Sequence, residues 1–138
     1  MTTDKTKILV VDDDPDMVLQ LTAILSQAGH AVHSAATAGE AEEMLLSVHP
    51  DLAVIDLMME EKDSGFVLCH RIKRLYPGTP VILLTAVKAA TGLSLPTGSL
   101  DARAWLEADL VLDKPVRPEQ IQAQVQRLLT RAALQEPK

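Results

Sequence analysis

The chain has very few aromatic residues, a single cysteine and no long apolar run. Phe, Trp and Tyr together make up 2% of its 138 residues, so its core must be built from aliphatic side chains. One cysteine, Cys69, excludes an internal disulfide. No stretch approaches the ~20 apolar residues of a membrane-spanning helix, and the polar N-terminus has no secretory apolar region. These absences predict a soluble, cytoplasmic protein that does not bind a membrane.

Positive charge is also scarce. The chain has 13 Lys and Arg residues and 19 Asp and Glu residues, which give a formal net charge of −6. A nucleic-acid surface needs clustered Lys and Arg, so we expect no direct binding to nucleic acid. The length and the ordinary apolar fraction of 47% suit one globular domain. We therefore expect a single domain over residues 1–138, with its core at about 6–133, and no output domain.

Four short apolar runs lie between helical patterns, as is typical of buried parallel strands. They begin at Ile8, Leu52, Val81 and Leu110. A weaker strand is predicted at Ala31–Ala35, at an edge of the sheet. Strands that alternate with helices indicate a doubly wound α/β sheet of five strands.

Residues with defined capping roles mark the helix boundaries. Pro15 follows Asp14 at the start of the first helix, and Gly29 ends it. The capping box Thr37-x-x-Glu40 opens the second helix, which its apolar spacing extends to residues 49–50. The third and last helices are predicted to begin at Ser64 and Pro118.

Each of the four apolar runs leads into residues that can bind a cation or a phosphate: Asp12-Asp13, Asp56, Thr85 and Lys114. In an open parallel sheet, ligands bind at the carboxyl ends of the strands. Three carboxylates held together repel one another, and Mg²⁺ or Mn²⁺ would neutralise them. With a metal ion at +2 and a lysine at +1, the charges sum to zero. Such a site suits a phosphoryl group, with one carboxylate as nucleophile.

Four motifs occur in order along nearly the whole chain: Ile8-Leu-Val-Val-Asp12-Asp13-Asp14-Pro15, Asp51-Leu-Ala-Val-Ile-Asp56-Leu-Met-Met, Leu84-Thr85-Ala86 and Leu112-Asp113-Lys114-Pro115. Together they resemble the receiver domains of two-component response regulators. The resemblance implies a flavodoxin-like sheet with strand order 2-1-3-4-5 and helices on both faces. It also implies a phosphoacceptor signalling domain rather than an enzyme.

The resemblance assigns a role to each site residue. Asp56 would be the phosphoacceptor, which receives its phosphoryl group from a sensor histidine kinase or a phosphotransfer protein. The implied metal ligands, for Mg²⁺ or Mn²⁺, are Asp12, Asp13, Asp56 and the backbone carbonyl of Met58. Thr85 and Lys114 would contact the phosphoryl oxygens. The downstream protein target is not implied, and a homodimer through the face of the fourth and fifth strands stays open.

The chain departs from the family pattern away from these residues. Glu60 stands where a proline is usual, and the glycine that opens the third helix comes one residue late, at Gly65. The chain between Thr85 and Lys114 is longer than usual, and Val111 replaces a frequent aromatic. We expect intact phosphate chemistry and an altered readout, which involves residues 86–107.

Two other functions are open at this point. One is a receiver-like interaction module that works without phosphorylation. The other is a phosphohydrolase of the haloacid dehalogenase type, with Asp12 as nucleophile and Asp14 two residues later. That type also needs an acidic pair after its lysine motif, where this chain has only Glu119 and Glu136.

Overall fold

The computed structural model describes residues 6–56, 64–85, 108–113 and 116–135. Within these ranges, five strands and four helices occur. In chain order they are β1 (Lys7–Val11), α1 (Pro15–Gln27), β2 (Ala31–Ala35), α2 (Ala38–Leu45), β3 (Leu52–Asp56), α3 (Ser64–Leu75), β4 (Val81–Thr85), β5 (Leu110–Asp113) and α4 (Pro118–Gln135). The strands form one parallel sheet in the order β2-β1-β3-β4-β5. The predicted fold and strand order are confirmed.

Each face of the sheet carries its own aliphatic core, because successive residues of a strand point to opposite faces. Leu9 and Val11 of β1 pack on one face in a cluster with residues of α2 and α3. Ile8 and Val10 pack on the other face with residues of α1 and α4. Every residue of β3 and β4 is buried, which explains why these strands are continuous apolar runs in the sequence. Among the described residues, no helix has the length and apolarity of a membrane span.

The predicted capping residues lie where the helices begin and end. Asp14 is the N-cap of α1, and Pro15 is its first residue. Gly29, with φ of 98°, has the only positive φ among the described residues, as expected after a helix C-terminus. Thr37 Oγ1 accepts the amide N–H of Glu40 at 3.0 Å. Glu40 in turn accepts the amide of Ala36 at 2.8 Å, one residue earlier than a standard capping box requires.

The predicted end of α2 is wrong. The helix ends at Leu45, with Leu46 as its C-cap, rather than at residues 49–50. The amides of Leu46 and Ser47 donate to carbonyls three residues earlier, at 3.1 and 3.0 Å. This tighter turn satisfies the end of the helix. It leaves Leu46 exposed.

A partly exposed ion pair ties the end of α3 to the start of β5. Lys73 Nζ donates to Asp109 Oδ2 at 2.7 Å and to the carbonyl of Thr79 at 2.9 Å. The same Asp109 oxygen accepts the amide of Val81 at 2.8 Å. The two side chains are only 19% and 28% exposed, so solvent screens the pair less than a surface salt bridge. The pair fixes where the chain returns to the sheet at β5.

We expect Lys73→Met to lower the free energy of unfolding by about 1–2 kcal/mol, because it removes two charge-assisted hydrogen bonds. Methionine keeps the length of the aliphatic stem. Chemical denaturation measures the change, and the matched control is Arg74→Met at the neighbouring exposed position, which should change stability by less than about 0.5 kcal/mol. Equal losses in the two variants would contradict this role of the ion pair.

Candidate functional site

The register of the sheet brings the carboxyl ends of its strands to one edge. Val11 of β1 pairs with Ile55 of β3, so the residues that follow, Asp12 and Asp56, are neighbours. Asp56 pairs with Leu84 of β4, and Thr85 is the next residue. The predicted convergence of Asp12, Asp56 and Thr85 at one edge therefore follows from hydrogen-bonded strand pairing and not from loop conformation.

Three carboxylates form the centre of this edge. One oxygen from each of Asp12, Asp13 and Asp56 lies within 4.8 Å of the other two. Asp12 and Asp56 are buried, at 1% and 6% exposure, whereas Asp13 is exposed. Asp12 and Asp56 are thus largely shielded from water, whereas Asp13 is in contact with it. We call these three residues the carboxylate cluster.

Thr85 lies beside the carboxylate cluster. It is the last residue of β4 and is only 2% exposed. Its partner in β5 is Asp113, the residue before Lys114 in the sequence. Lys114 itself lies outside the described residues, and so does Met58. Their predicted roles stay predictions.

The carboxylate cluster fits a hard divalent cation. Its donors are all carboxylate oxygens, which Mg²⁺ and Mn²⁺ prefer, and it contains no Cys or His that would favour zinc. Oxygens on opposite sides of a Mg²⁺ ion lie about 4 Å apart, because each bond is about 2.0–2.1 Å long. The three carboxylate oxygens lie within 4.8 Å of one another, so they can bind one ion if a ligand shifts slightly or binds through water.

The orientation of Asp12 depends on Asp14, a residue that the sequence indicates as a helix start and as part of the phosphohydrolase alternative. The amide of Asp14 donates to Asp12 Oδ1 at 2.9 Å, and the amide of Asp12 donates to the carbonyl of Ala35 at 3.2 Å. The spacing Asp12-x-Asp14-x-Asp16 is the signal that was available, because aspartate often accepts the amide two residues later. The Asp14 amide therefore helps to hold the Asp12 carboxylate in place.

Val111, the position where the family often has an aromatic, is partly buried. It pairs with Leu83 of β4 and packs against the same core cluster as α2 and α3. The side chain is aliphatic and has no ring to rotate. The segment 86–107 and Glu60, which were predicted to take part in an altered readout, lie outside the described residues.

A second concave feature lies at the opposite edge of the sheet, at the amino ends of β1 and β3. It is a groove of about 720 Å³ whose lining includes Lys7, His49, Asp51, Tyr76 and Thr79. The rings of His49 and Tyr76 stack with centroids 4.0 Å apart. Thr79 is buried and donates its hydroxyl to the carbonyl of Pro50 at 2.9 Å. The groove is at the far end of the strands from the carboxylate cluster.

Comparisons with known proteins agree with this geometry. A family model described as response regulator receiver domain matches residues 8–126. Response regulator MprA from Mycobacterium ulcerans is 35% identical over 130 residues, which cover 94% of this chain and 53% of that protein. This chain therefore spans about half the length of the curated relatives it matches.

Solved structures are similar over almost the whole chain. A CheY-like response regulator receiver domain protein from Methanospirillum hungatei has a TM-score of 0.81 and 25% identity, and the match covers 96% of this chain and 100% of that one. Response regulator protein TrrA from Thermotoga maritima, solved in complex with Mg²⁺-BeF, has a TM-score of 0.72 and 27% identity, with 89% of this chain and 98% of that one covered.

Proposed function

Because the chain belongs to the family of response regulator receiver domains, we propose that it accepts a phosphoryl group on Asp56 in a Mg²⁺-dependent reaction and signals by a change of conformation. The observation that carries this proposal is the carboxylate cluster, in which Asp56 lies within 4.8 Å of two further carboxylates. Receiver domains of this family take part in two-component signalling with histidine kinases. The proposed phosphodonor is accordingly a sensor histidine kinase or a phosphotransfer protein.

The proposed step is one substitution at phosphorus. A carboxylate oxygen of Asp56 attacks the phosphorus atom of a phosphohistidine on the donor, which forms a P–O bond and breaks the P–N bond. The imidazole of the donor leaves with the electron pair of the broken bond and takes a proton from solvent. The product on this chain is an acyl phosphate at Asp56. The receiver domain is thus a signalling partner that is itself the substrate of the transfer.

The neighbouring residues have complementary proposed roles. Asp12 and Asp13 would hold a Mg²⁺ or Mn²⁺ ion together with Asp56 and the backbone carbonyl of Met58. The bound ion would offset negative charge where phosphoryl oxygens approach the carboxylates. Thr85 follows Leu84, the residue that pairs with Asp56 across the sheet, and its hydroxyl can donate to a phosphoryl oxygen. Lys114 would supply a positive charge to the same group.

We further propose that the downstream target is a protein and that two copies of the chain pair through the face of β4 and β5. Some relatives that are about twice as long as this chain are a transcriptional regulatory protein and a DNA-binding response regulator. Those activities belong to those proteins.

A small-molecule phosphodonor tests the proposal directly. The protein is incubated with acetyl phosphate and Mg²⁺, and its intact mass is measured with and without a chelator. We expect a mass increase of one phosphoryl group that requires the divalent ion. No adduct on the wild type would overturn the proposal. An adduct located on Asp12 instead of Asp56 would favour the phosphohydrolase.

We expect the acyl phosphate to be long-lived. The residues two positions after Asp56 and two after Thr85 are Met58 and Val87, and neither side chain carries a strong hydrogen-bond donor or acceptor that could orient an attacking water. Met58→Asn combined with Val87→Glu should speed hydrolysis by about tenfold, the effect of about 1.4 kcal/mol on the barrier. The loss of the adduct, followed by mass after removal of the phosphodonor, measures this rate.

The control for that experiment is Met58→Leu with Val87→Ile, which keeps both positions apolar and should leave the rate unchanged. A wild-type adduct that decays faster than that of the Asn/Glu variant would contradict the prediction.

A further inference from the structure

Two consecutive side chain–backbone hydrogen bonds connect the carboxylate cluster to α1. The amide of Asp14 donates to Asp12 Oδ1 at 2.9 Å, and the amide of Asp16 donates to Asp14 Oδ1 at 3.0 Å. In both, an aspartate accepts the N–H two residues later, which is the geometry of an Asx turn. The first bond belongs to the site and the second belongs to the helix, and Asp14 takes part in both.

The backbone of Asp14 is held on both sides. Its φ and ψ are −94° and 110°, an extended conformation that the following Pro15 favours by steric restriction. Its side chain caps α1, and its carbonyl accepts the amide of Val18 at 3.1 Å, which begins the helix. The amide of Asp14 therefore keeps a fixed direction, and that direction is toward Asp12.

We propose that Asp14 is a positioning residue, which fixes the orientation of the Asp12 carboxylate before a divalent ion binds. The inference rests on the proposed function, because it concerns the same metal site. Asp14 does not belong to the carboxylate cluster and is exposed, so its effect passes through Asp12. A ligand that is already oriented by folding loses less conformational freedom when the ion binds. Asp14 thereby raises the affinity for the ion without contacting it.

Two variants of Asp14 separate the effect of its helix cap on Asp12 from the effect of its negative charge. Asp14→Asn removes the charge but keeps a side-chain oxygen that can cap α1, whereas Asp14→Ala removes both. Asp16→Asn removes an exposed charge two residues further on and keeps the amide that donates to Asp14. Thr37→Ala removes the N-cap of α2 and controls for the general loss of stability when a helix cap is deleted.

The probe is Mg²⁺ alone, titrated into each variant by calorimetry at low and high salt. We expect Asp14→Asn and Asp16→Asn to lose about two-fold in affinity, an electrostatic effect that high salt removes. Asp14→Ala should lose about a further five-fold that persists at high salt, which corresponds to the usual effect of deleting an N-cap. Thr37→Ala should lower the melting temperature without changing the Mg²⁺ affinity.

A second measurement reports on the hydrogen bond from the Asp14 amide to Asp12. Hydrogen exchange of the Asp14 amide, measured without metal, should be faster in Asp14→Ala than in Asp14→Asn, because the amide then leaves Asp12 more often. Equal Mg²⁺ affinities for Asp14→Ala and Asp14→Asn, with normal binding by the wild type, would overturn the positioning role and leave the proposed function intact. Failure of the wild type to bind Mg²⁺ would overturn both.

Discussion

Asp56→Asn should abolish the phosphoryl adduct completely. An amide oxygen is a poor nucleophile compared with a carboxylate, so no acyl phosphate can form at this position. The substitution is nearly isosteric, and Asp56 lies at the end of a fully buried strand, so asparagine should preserve the packing of β3. Intact mass after incubation with acetyl phosphate and Mg²⁺ measures the phosphoryl adduct, which should be absent from the variant.

The matched control is Asp51→Asn, at the residue that precedes the same strand. Asp51 is exposed and accepts the amide of Lys7 at 2.8 Å, a bond that asparagine can also accept. It lies about 16 Å from Asp56, given about 3.3 Å per residue in a strand. Asp51→Asn should be phosphorylated like the wild type. An undiminished adduct on Asp56→Asn would show that Asp56 is not the acceptor.

Asp13→Asn should change the stability in opposite directions with and without Mg²⁺. Without divalent ions, the variant relieves repulsion within the carboxylate cluster. Two charges about 4.8 Å apart interact by about 3 kcal/mol at an effective dielectric constant of 20, and the exposure of Asp13 reduces this. We therefore expect the free energy of unfolding to rise by about 1 kcal/mol, and less at high salt.

With Mg²⁺, the order of the two proteins should reverse. A ligand present at 100 times its dissociation constant stabilises the folded state by about 2.7 kcal/mol. Asp13→Asn has lost one charged ligand, so the same Mg²⁺ concentration should stabilise its folded state far less. Urea denaturation with and without Mg²⁺ measures both effects, with Asp51→Asn as the control that removes one charge far from the cluster. A variant that is less stable without metal, or that gains as much as the wild type, would contradict this account.

The parts of the fold that local sequence determines were predictable. Asp14, Pro15 and Gly29 mark the ends of α1 through capping and backbone geometry that need no distant partner. The central strands are buried on both faces, so their sequence is continuously apolar. The neighbouring positions of Asp12 and Asp56 followed because the carboxyl ends of parallel strands meet at one edge.

Other features depend on contacts that sequence spacing does not reveal. The ion pair of Lys73 with Asp109 joins residues 36 positions apart, and nothing near either residue indicates the partner. The stack of His49 on Tyr76 forms only when two loops pack together. The early end of α2 was missed because Val48 continues the apolar spacing while the backbone has already tightened into a turn.

The hydrogen bond between Asp14 and Asp12 is an intermediate case. Its two residues are two positions apart, a recognisable spacing that also occurs in ordinary solvated turns. The burial of Asp12 and the nearby Asp56 distinguish this hydrogen bond from one in a solvated turn, and both depend on the folded sheet.

The strand order also determines how the sheet can assemble during synthesis. β1 pairs with both β2 and β3, and β4 and β5 then add in turn at one side of β3. The ribosome therefore releases Asp12, Asp13 and Asp56 in a segment that can already pair its first three strands. Thr85 and the residue that precedes Lys114 join only with the last two strands. A nascent chain could thus gather its carboxylates before it has the groups proposed to receive the phosphate oxygens.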